Sequence, residues 1–167
     1  MPDATSDPKV SLCAPVPGHR PCVGVMLINA NGLALVGERR GPLPDAWQMP
    51  QGGIDPGETP LEAAWREMRE EIGTDRAALL AESRFWYAYD LPPDLIPSFW
   101  GGRYRGQSQK WFAFRFTGTD DDIDLTFENP EFARWEWATA AEILRRIVGF
   151  KRPVYEAVMQ EFAHLLA

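Results

Sequence analysis

The stretch Gly52-Gly53-Ile54-Asp55-Pro56-Gly57-Glu58-Thr59-Pro60-Leu61-Glu62-Ala63-Ala64-Trp65-Arg66-Glu67-Met68-Arg69-Glu70-Glu71-Ile72-Gly73-Thr74 carries the strongest pattern in the chain. It predicts a glycine turn running into one amphipathic helix. Thr59 suits the N-cap, Pro60 the first helical position, and Glu62 the return partner of a capping box. Gly73 is placed to stop the helix in the left-handed conformation. Leu61, Trp65, Met68 and Ile72 fall on one stripe, so that face is expected to be buried. Glu67, Glu70 and Glu71 occupy a separate arc of about 100° at helical spacing. Like charges at this spacing repel, and they crowd the C-terminal half, where the helix dipole disfavours negative charge. Taken alone, such a patch fits either a solvated face paired with Arg66 and Arg69 or a site for a hard divalent cation, which prefers carboxylate oxygens.

Outward from this helix the pattern is mostly extended. Val23–Ile28 and Leu33–Gly37, separated by Asn31-Gly32, predict a hairpin. Gly41–Asp45 reads as a loop, and Trp47–Gly53 as a short extended piece entering the glycine turn. Glu82–Tyr89 reads as a strand. Asp90–Ser108 reads as a long loop containing Trp100, Arg103, Tyr104 and Arg105, of a length that is often functional. Alternation over Trp111–Phe116 suggests a central strand. Asp120–Asp122 reads as a solvated turn and Arg134–Trp137 as a short strand. Thr139–Ile147 and Pro153–Leu166 read as helices, the last with an apolar face of Val154, Val158, Phe162 and Leu165. Strands mixed with a few helices, without regular βαβ alternation, predict α+β, an α/β/α sandwich.

Composition narrows the function. The 167 residues, with 45% hydrophobic and 25% charged, suffice for one globular domain. Residues 1–20 are expected to be a flexible leader and 21–167 a single domain. Seven Trp and nine Phe supply core and, for a nucleotide enzyme, faces for bases. A net charge of −7 argues against coating a nucleic-acid backbone, and no DNA duplex is expected as partner. Cys13 and Cys22 read as free thiols, a disulfide being the alternative. His19 and His164 are the only histidines, which disfavours a His-based zinc site. No apolar run reaches the ~20 residues of a membrane span. No targeting signal is evident, so the expected compartment is cytoplasmic.

The helix segment resembles the Nudix signature, G-x5-E-x7-R-E-U-x-E-E-x-G-U with U a bulky aliphatic residue. Gly52, Glu58, Arg66-Glu67, Glu70-Glu71 and Gly73 match every fixed position. The departures are Met68, unbranched at the first U, and Thr74, polar at the last. The resemblance implies a Nudix fold, a mixed sheet between helices with the signature as loop-helix-loop. It also implies a hydrolase that cuts a pyrophosphate bond with Mg²⁺ or Mn²⁺. Glu67, Glu70 and Glu71 match the metal ligands, and Arg66 the residue that orients a catalytic glutamate. The Gly52 carbonyl region is expected to help bind metal, and Glu58 to be structural or a weak contributor.

Trp47–Ile54, Gly106–Phe112, Pro130–Phe132 and Phe150–Tyr155 resemble one subfamily, the bacterial RNA pyrophosphohydrolases and the similar dinucleoside polyphosphate hydrolases. Glu131 matches an extra carboxylate that binds metal or acts as base; otherwise it is a surface residue after Pro130. Arg40, Val148 and Phe150 match positions that sandwich a base. Gln107, Gln109 and Lys110 match a polar segment facing substrate, and Arg20 and Lys151 basic positions near the phosphates. Arg103 and Arg105 are weaker candidates from the long loop. The implied partner is a nucleotide or a 5′-phosphorylated RNA. The expected reaction converts 5′-tri- or diphosphorylated RNA ends to monophosphate, the alternative substrate being diadenosine tetraphosphate. A regulatory Nudix module without catalysis would show a degraded signature, and here it is intact.

Overall fold

A computed structural model describes residues 8–41, 45–128 and 130–167. The expected loop Gly41–Asp45 lies mostly outside these residues. The helix predicted from the signature is present as α1, Pro60–Ile72. The Thr59 hydroxyl oxygen accepts from the Glu62 backbone N–H at 3.2 Å, while the Glu62 carboxylate does not return the bond, so the N-terminus has a single cap rather than a box. Gly73 closes the helix at φ 69°, its N–H donating to the Arg69 carbonyl. A Cβ there would also collide with the Asp124 backbone, so both conformation and space require glycine. Met68 and Ile72 are fully buried, and Leu61 and Trp65 pack on the same cluster.

Among the described residues nine strands make one mixed sheet: β1 Lys9–Ser11, β2 Arg20–Ile28, β3 Ala34–Arg39, β4 Trp47–Gln48, β5 Gln51–Gly53, β6 Ala77–Glu82, β7 Trp86–Asp90, β8 Gly106–Phe116 and β9 Phe132–Ala138. At its centre β8 runs parallel to β2 along nine residue pairs, from Arg20↔Gln107 to Ile28↔Arg115. Both faces of β8 are covered, which explains its nearly continuous burial. Phe112, Phe114 and Phe116 face α1 with Val23, Val25 and Leu27. Trp111 and Ala113 face the other layer, built from α2 (Ala140–Arg146) and α3 (Arg152–Glu161). The result is the expected sandwich of helices about a mixed sheet.

Several elements differ from the sequence expectation. β2 and β3 are paired in register only at Ile28↔Ala34. Beyond that pair β3 turns to β9 and β4, while β5 takes the vacated edge of β2 at Cys22–Gly24. The hairpin is therefore splayed, and the opening hosts the cavity described below. The expected strand Glu82–Tyr89 is two strands broken at Ser83–Phe85. β6, composed of Ala, Leu and Glu, has helix-forming residues and little burial, and pairing with β8 holds it extended. Within the expected leader, Lys9–Ser11 pairs antiparallel with β7. Asp90 anchors this strand, accepting from Lys9 Nζ at 3.2 Å and facing His19 Nε2 at 2.5 Å. The long loop after β7 contains two 3₁₀ turns, Ile96–Ser98 and Trp100–Gly102. The last helix ends at Glu161, followed by a 3₁₀ turn at Ala163–Leu165. Cys13 is exposed and Cys22 buried, and both are free. Among the described residues no helix is long and apolar enough to cross a membrane.

The single cap at Thr59 predicts that Thr59→Ala lowers unfolding free energy by about 1 kcal/mol. Urea denaturation with an unchanged m-value checks it.

Candidate active site

Arg66 is the hub of the site. Its Nε and Nη2 form a fork on the Glu58 carboxylate, both bonds at 2.8 Å. Nη2 also donates to the Gly53 carbonyl at 2.7 Å. Nη1 donates to Glu67 Oε1 at 2.7 Å and to Glu70 Oε2 at 3.2 Å. One guanidinium thus joins the loop before the helix to two carboxylates on it, using the fixed fork geometry that lysine lacks. The bidentate contact holds the Glu58 carboxyl below its ordinary range. Glu58 is therefore a structural partner of Arg66, reached from the turn Asp55–Glu58.

The other carboxylates are not neutralised in this way. Glu71 is 1% exposed. Its Oε2 accepts from the Gln51 backbone N–H at 3.2 Å. Its Oε1 has no hydrogen-bond partner among the described residues. Burial pushes the Glu71 carboxyl well up, and the neighbouring charges of Glu131 and Glu67 push it further. Burial likewise raises Glu67, to about 7, against the opposing pull of Arg66 and with added repulsion from Glu70 and Glu131. Gly52 sits against the Glu67 carboxylate so closely that a Cβ would overlap it. Its lack of a side chain lets β5 approach α1.

These groups open into a cavity of about 320 Å³ in the splayed region of the sheet. Its lining includes the acidic Glu67, Glu70 and Glu131, the Gly52 backbone, and the basic Arg20, Arg39 and Lys151. Arg20 lies 5.4 Å from the Trp100 ring centroid. Lys151 is buried, donates to Gln48 Oε1 at 3.0 Å and lies over the Tyr89 ring. Its burial and the nearby Arg39 charge lower its pKa to about 8. Tyr89 and Phe150 lie 5.6 Å apart between centroids, tilted at 43°, and form an aromatic wall.

Of the sequence-selected residues, Arg20, Gly52, Glu67, Glu70, Gln107, Glu131, Phe150 and Lys151 line this cavity. Arg66 and Glu71 stand directly behind it. Gln109 also lies behind the lining, fully buried, bonded to Gln51, Gln107 and Trp111. Lys110 projects to the α1 face of β8, beside Glu82 at 3.5 Å, because side chains alternate along a strand. Arg40 is exposed and donates to the Phe132 carbonyl at 3.2 Å, while its neighbour Arg39 reaches the cavity. The register shift between Glu38 and Arg39 breaks simple alternation there. Val148 is 45% exposed and, like Arg103 and Arg105, is outside the lining. Sequence reasoning missed Arg39, Gln48, Gln51, Tyr89 and Phe99 as lining residues. Trp100, noted only as part of a long loop, also belongs to the lining.

Among the described residues no three acidic, His or Cys side chains are already gathered about one point. The chemistry of the donor set nevertheless fits a divalent cation. A buried carboxylate oxygen lacks a partner, a second carboxyl is raised by burial, and all the candidate donors are hard oxygens.

This chain belongs to the NUDIX family, whose domain matches residues 18–158. It is 54% identical over 148 residues to the RNA pyrophosphohydrolase of Rickettsia conorii, covering 89% of this chain and 92% of that protein. It is 58% identical over 145 residues to the RNA pyrophosphohydrolase of Rhodospirillum rubrum, covering 87% of each. Among solved structures, its fold is similar to that of the E. coli dihydroneopterin triphosphate pyrophosphohydrolase, with TM-score 0.66, 20% identity, and coverage of 87% of this chain and 98% of that one. It is also similar to a C. elegans Ap4A hydrolase, with TM-score 0.61, 17% identity, and coverage of 86% and 98%.

The raised carboxyls make a prediction about metal-free protein. For an acid whose folded pKa exceeds its unfolded value, ionisation costs more in the folded state. Between the reference value of 4.5 and the Glu67 value of about 7, stability should therefore fall as pH rises. The lowered Lys151 acts only above about 8, outside this window. Chelator-treated protein should have a higher Tm at pH 5.5 than at pH 7.5, and Mg²⁺ should raise Tm more at pH 7.5. Equal Mg²⁺ shifts at both values would contradict the assignment.

Proposed function

We propose that the protein hydrolyses the pyrophosphate bond at 5′-tri- and diphosphorylated RNA ends, leaving a 5′-monophosphate. The observation that carries this reading is one cavity lined by Glu67, Glu70 and Glu131 together with Arg20, Arg39 and Lys151, with the buried Glu71 carboxyl beside Glu67 and Glu131. Such an arrangement suits a polyphosphate: basic groups bind its oxygens, and carboxyls in the same cavity gain a counter-charge when a cation enters with it. The RNA end is favoured as substrate by the two bacterial relatives named RNA pyrophosphohydrolase. The cytoplasm is the compartment this activity implies.

The residues divide into roles. Glu67, Glu70, Glu71 and Glu131, with the Gly52 carbonyl, would hold Mg²⁺ or Mn²⁺. Bound there, such cations neutralise phosphate charge and make water more acidic. Arg66 occupies Glu67 Oε1 and Glu70 Oε2, and both residues line the cavity, so the second oxygen of each is available to a cation. Gln51 holds Glu71 by Oε2, while Oε1 has no N–H or hydroxyl donor among the described residues and the Glu131 carboxyl lies close to Glu71. A glutamate of this group takes a proton from the attacking water, a task suited to a carboxyl whose pKa burial has raised toward neutrality. Arg20, Arg39 and Lys151 bind phosphate oxygens and hold the chain for in-line attack. The Tyr89–Phe150 wall and Trp100 offer flat faces for a base.

Two experiments test this reading. Glu71→Gln should retain a cooperative fold yet lose at least about 100-fold in kcat; near-wild-type turnover at saturating Mg²⁺ would remove Glu71 from the machinery. In a competition assay with Mg²⁺, 5′-triphosphorylated RNA should exceed diadenosine tetraphosphate in kcat/KM by about tenfold, or ~1.4 kcal/mol. The reverse order would make the dinucleotide the substrate.

A further inference from the structure

Three glutamines, Gln48, Gln51 and Gln107, line the cavity, and their amides have no part in the carboxylate arrangement. Each amide has an acceptor end and a donor end. Which end faces substrate decides whether the wall attracts or repels a phosphate oxygen. Two groups that can only donate, one behind the lining and one within it, set this orientation. The Trp111 indole N–H donates to Gln109 Oε1 at 3.0 Å. That turns the Gln109 NH₂ outward, where it donates to Gln51 Oε1 at 2.9 Å and to Gln107 Oε1 at 2.8 Å. Trp111 and Gln109 are 0% exposed, so bulk water does not compete for these bonds. The Lys151 ammonium likewise donates to Gln48 Oε1. With their oxygens engaged, all three lining glutamines are left with NH₂ as the free end. Among the described residues none of those nitrogens has a protein partner, and none is a sealed, unsatisfied atom.

We propose that Gln48, Gln51 and Gln107 form a donor-only face that binds the non-ester phosphate oxygens of the polyphosphate, with Trp111 and Gln109 as positioning residues that set the polarity of Gln51 and Gln107. A phosphate chain presents only acceptors in its ionised form. Neutral donors bind it beside Arg20 and Arg39 without adding further like charge to that wall. Gln51 also gives its backbone N–H to Glu71, so one residue joins the donor face to the carboxylate cluster. A flipped amide would turn a carbonyl oxygen onto a phosphate oxygen and repel it. The inference rests on the reading that a pyrophosphate group occupies this cavity.

The test uses Trp111→Phe, which removes the indole donor without altering the lining, and Gln109→Met, which keeps the side-chain length and removes the relay. The probe is imidodiphosphate, a pyrophosphate analogue that resists hydrolysis, titrated calorimetrically with Mg²⁺ present. Circular dichroism reports folding, and Gln109→Met serves if the aromatic change unfolds the chain. We expect imidodiphosphate to bind about tenfold more weakly to each folded variant. KM for the RNA end should rise similarly while kcat changes less than about threefold, a split that general loosening of the core does not give. Folded variants that bind imidodiphosphate as tightly as wild type overturn the inference, as does wild-type protein that does not bind it. Wild-type protein that binds imidodiphosphate but leaves RNA ends intact would instead overturn the functional reading and leave the donor face standing.

Discussion

Everything around the cavity depends on the Arg66 guanidinium. It meets Glu58, Glu67, Glu70 and the Gly53 carbonyl with bonds of 2.7–3.2 Å. Through them it locks the glycine loop to the helix that follows. Without this cation, two helix carboxylates, the Glu58 carboxylate and the loop carbonyl would face one another with no guanidinium between them. With it, Glu58 is fully paired, whereas Glu67 and Glu70 are oriented but not neutralised. The site is thus a rigid frame with charge left over, the electrostatic condition for binding a cation rather than for stabilising a fold.

The sheet supplies the second half of the arrangement. Because β3 leaves β2 after one pair, β5 can enter beside β2 and bring Gln51 and Gly52 against α1. The same divergence opens the space between α1 and the turn Gly149–Lys151 that precedes α3. Carboxylates then arrive from one helix layer and Lys151 from the other, while β2 and β8 contribute Arg20 and Gln107 in direct register. A polyphosphate in this space touches both layers, which makes the position of β5 a functional constraint as well as a packing one.

The signature helix was legible because each of its signals is local. Thr59, Pro60, Gly73 and the apolar stripe act within a few turns, and the structure keeps them. The central strand β8 was legible as well, since its aromatic alternation needs no partner to be seen. What escaped depended on distant pairing. β6 is built of helix-forming residues and is extended only because β8 is beside it. β1 is three residues long and is held by Asp90, far along the chain. In the site, counting alternation along β8 separates Gln107 and Gln109 from Lys110, a signal that was available in the sequence. The exchange of Arg39 for Arg40 was not, because it accompanies a register shift against β9. Tyr89 and Trp100 gave no signal apart from their aromatic character, since a splayed sheet and a pair of 3₁₀ turns bring them to the cavity.

The central claim is that burial on α1 disfavours the ionised form of carboxyls that the protein itself does not offset, so that a cation is needed to ionise them. A ¹³C-detected titration of the glutamate side-chain carboxyl carbons, with and without Mg²⁺, tests it most directly. In metal-free protein the Glu67 carboxyl should titrate with a midpoint near about 7, and Mg²⁺ should drive that midpoint downward. If every glutamate carboxyl titrates near the ordinary 4.5 and Mg²⁺ moves none of them, the carboxylates are not poised for a cation and the account is contradicted.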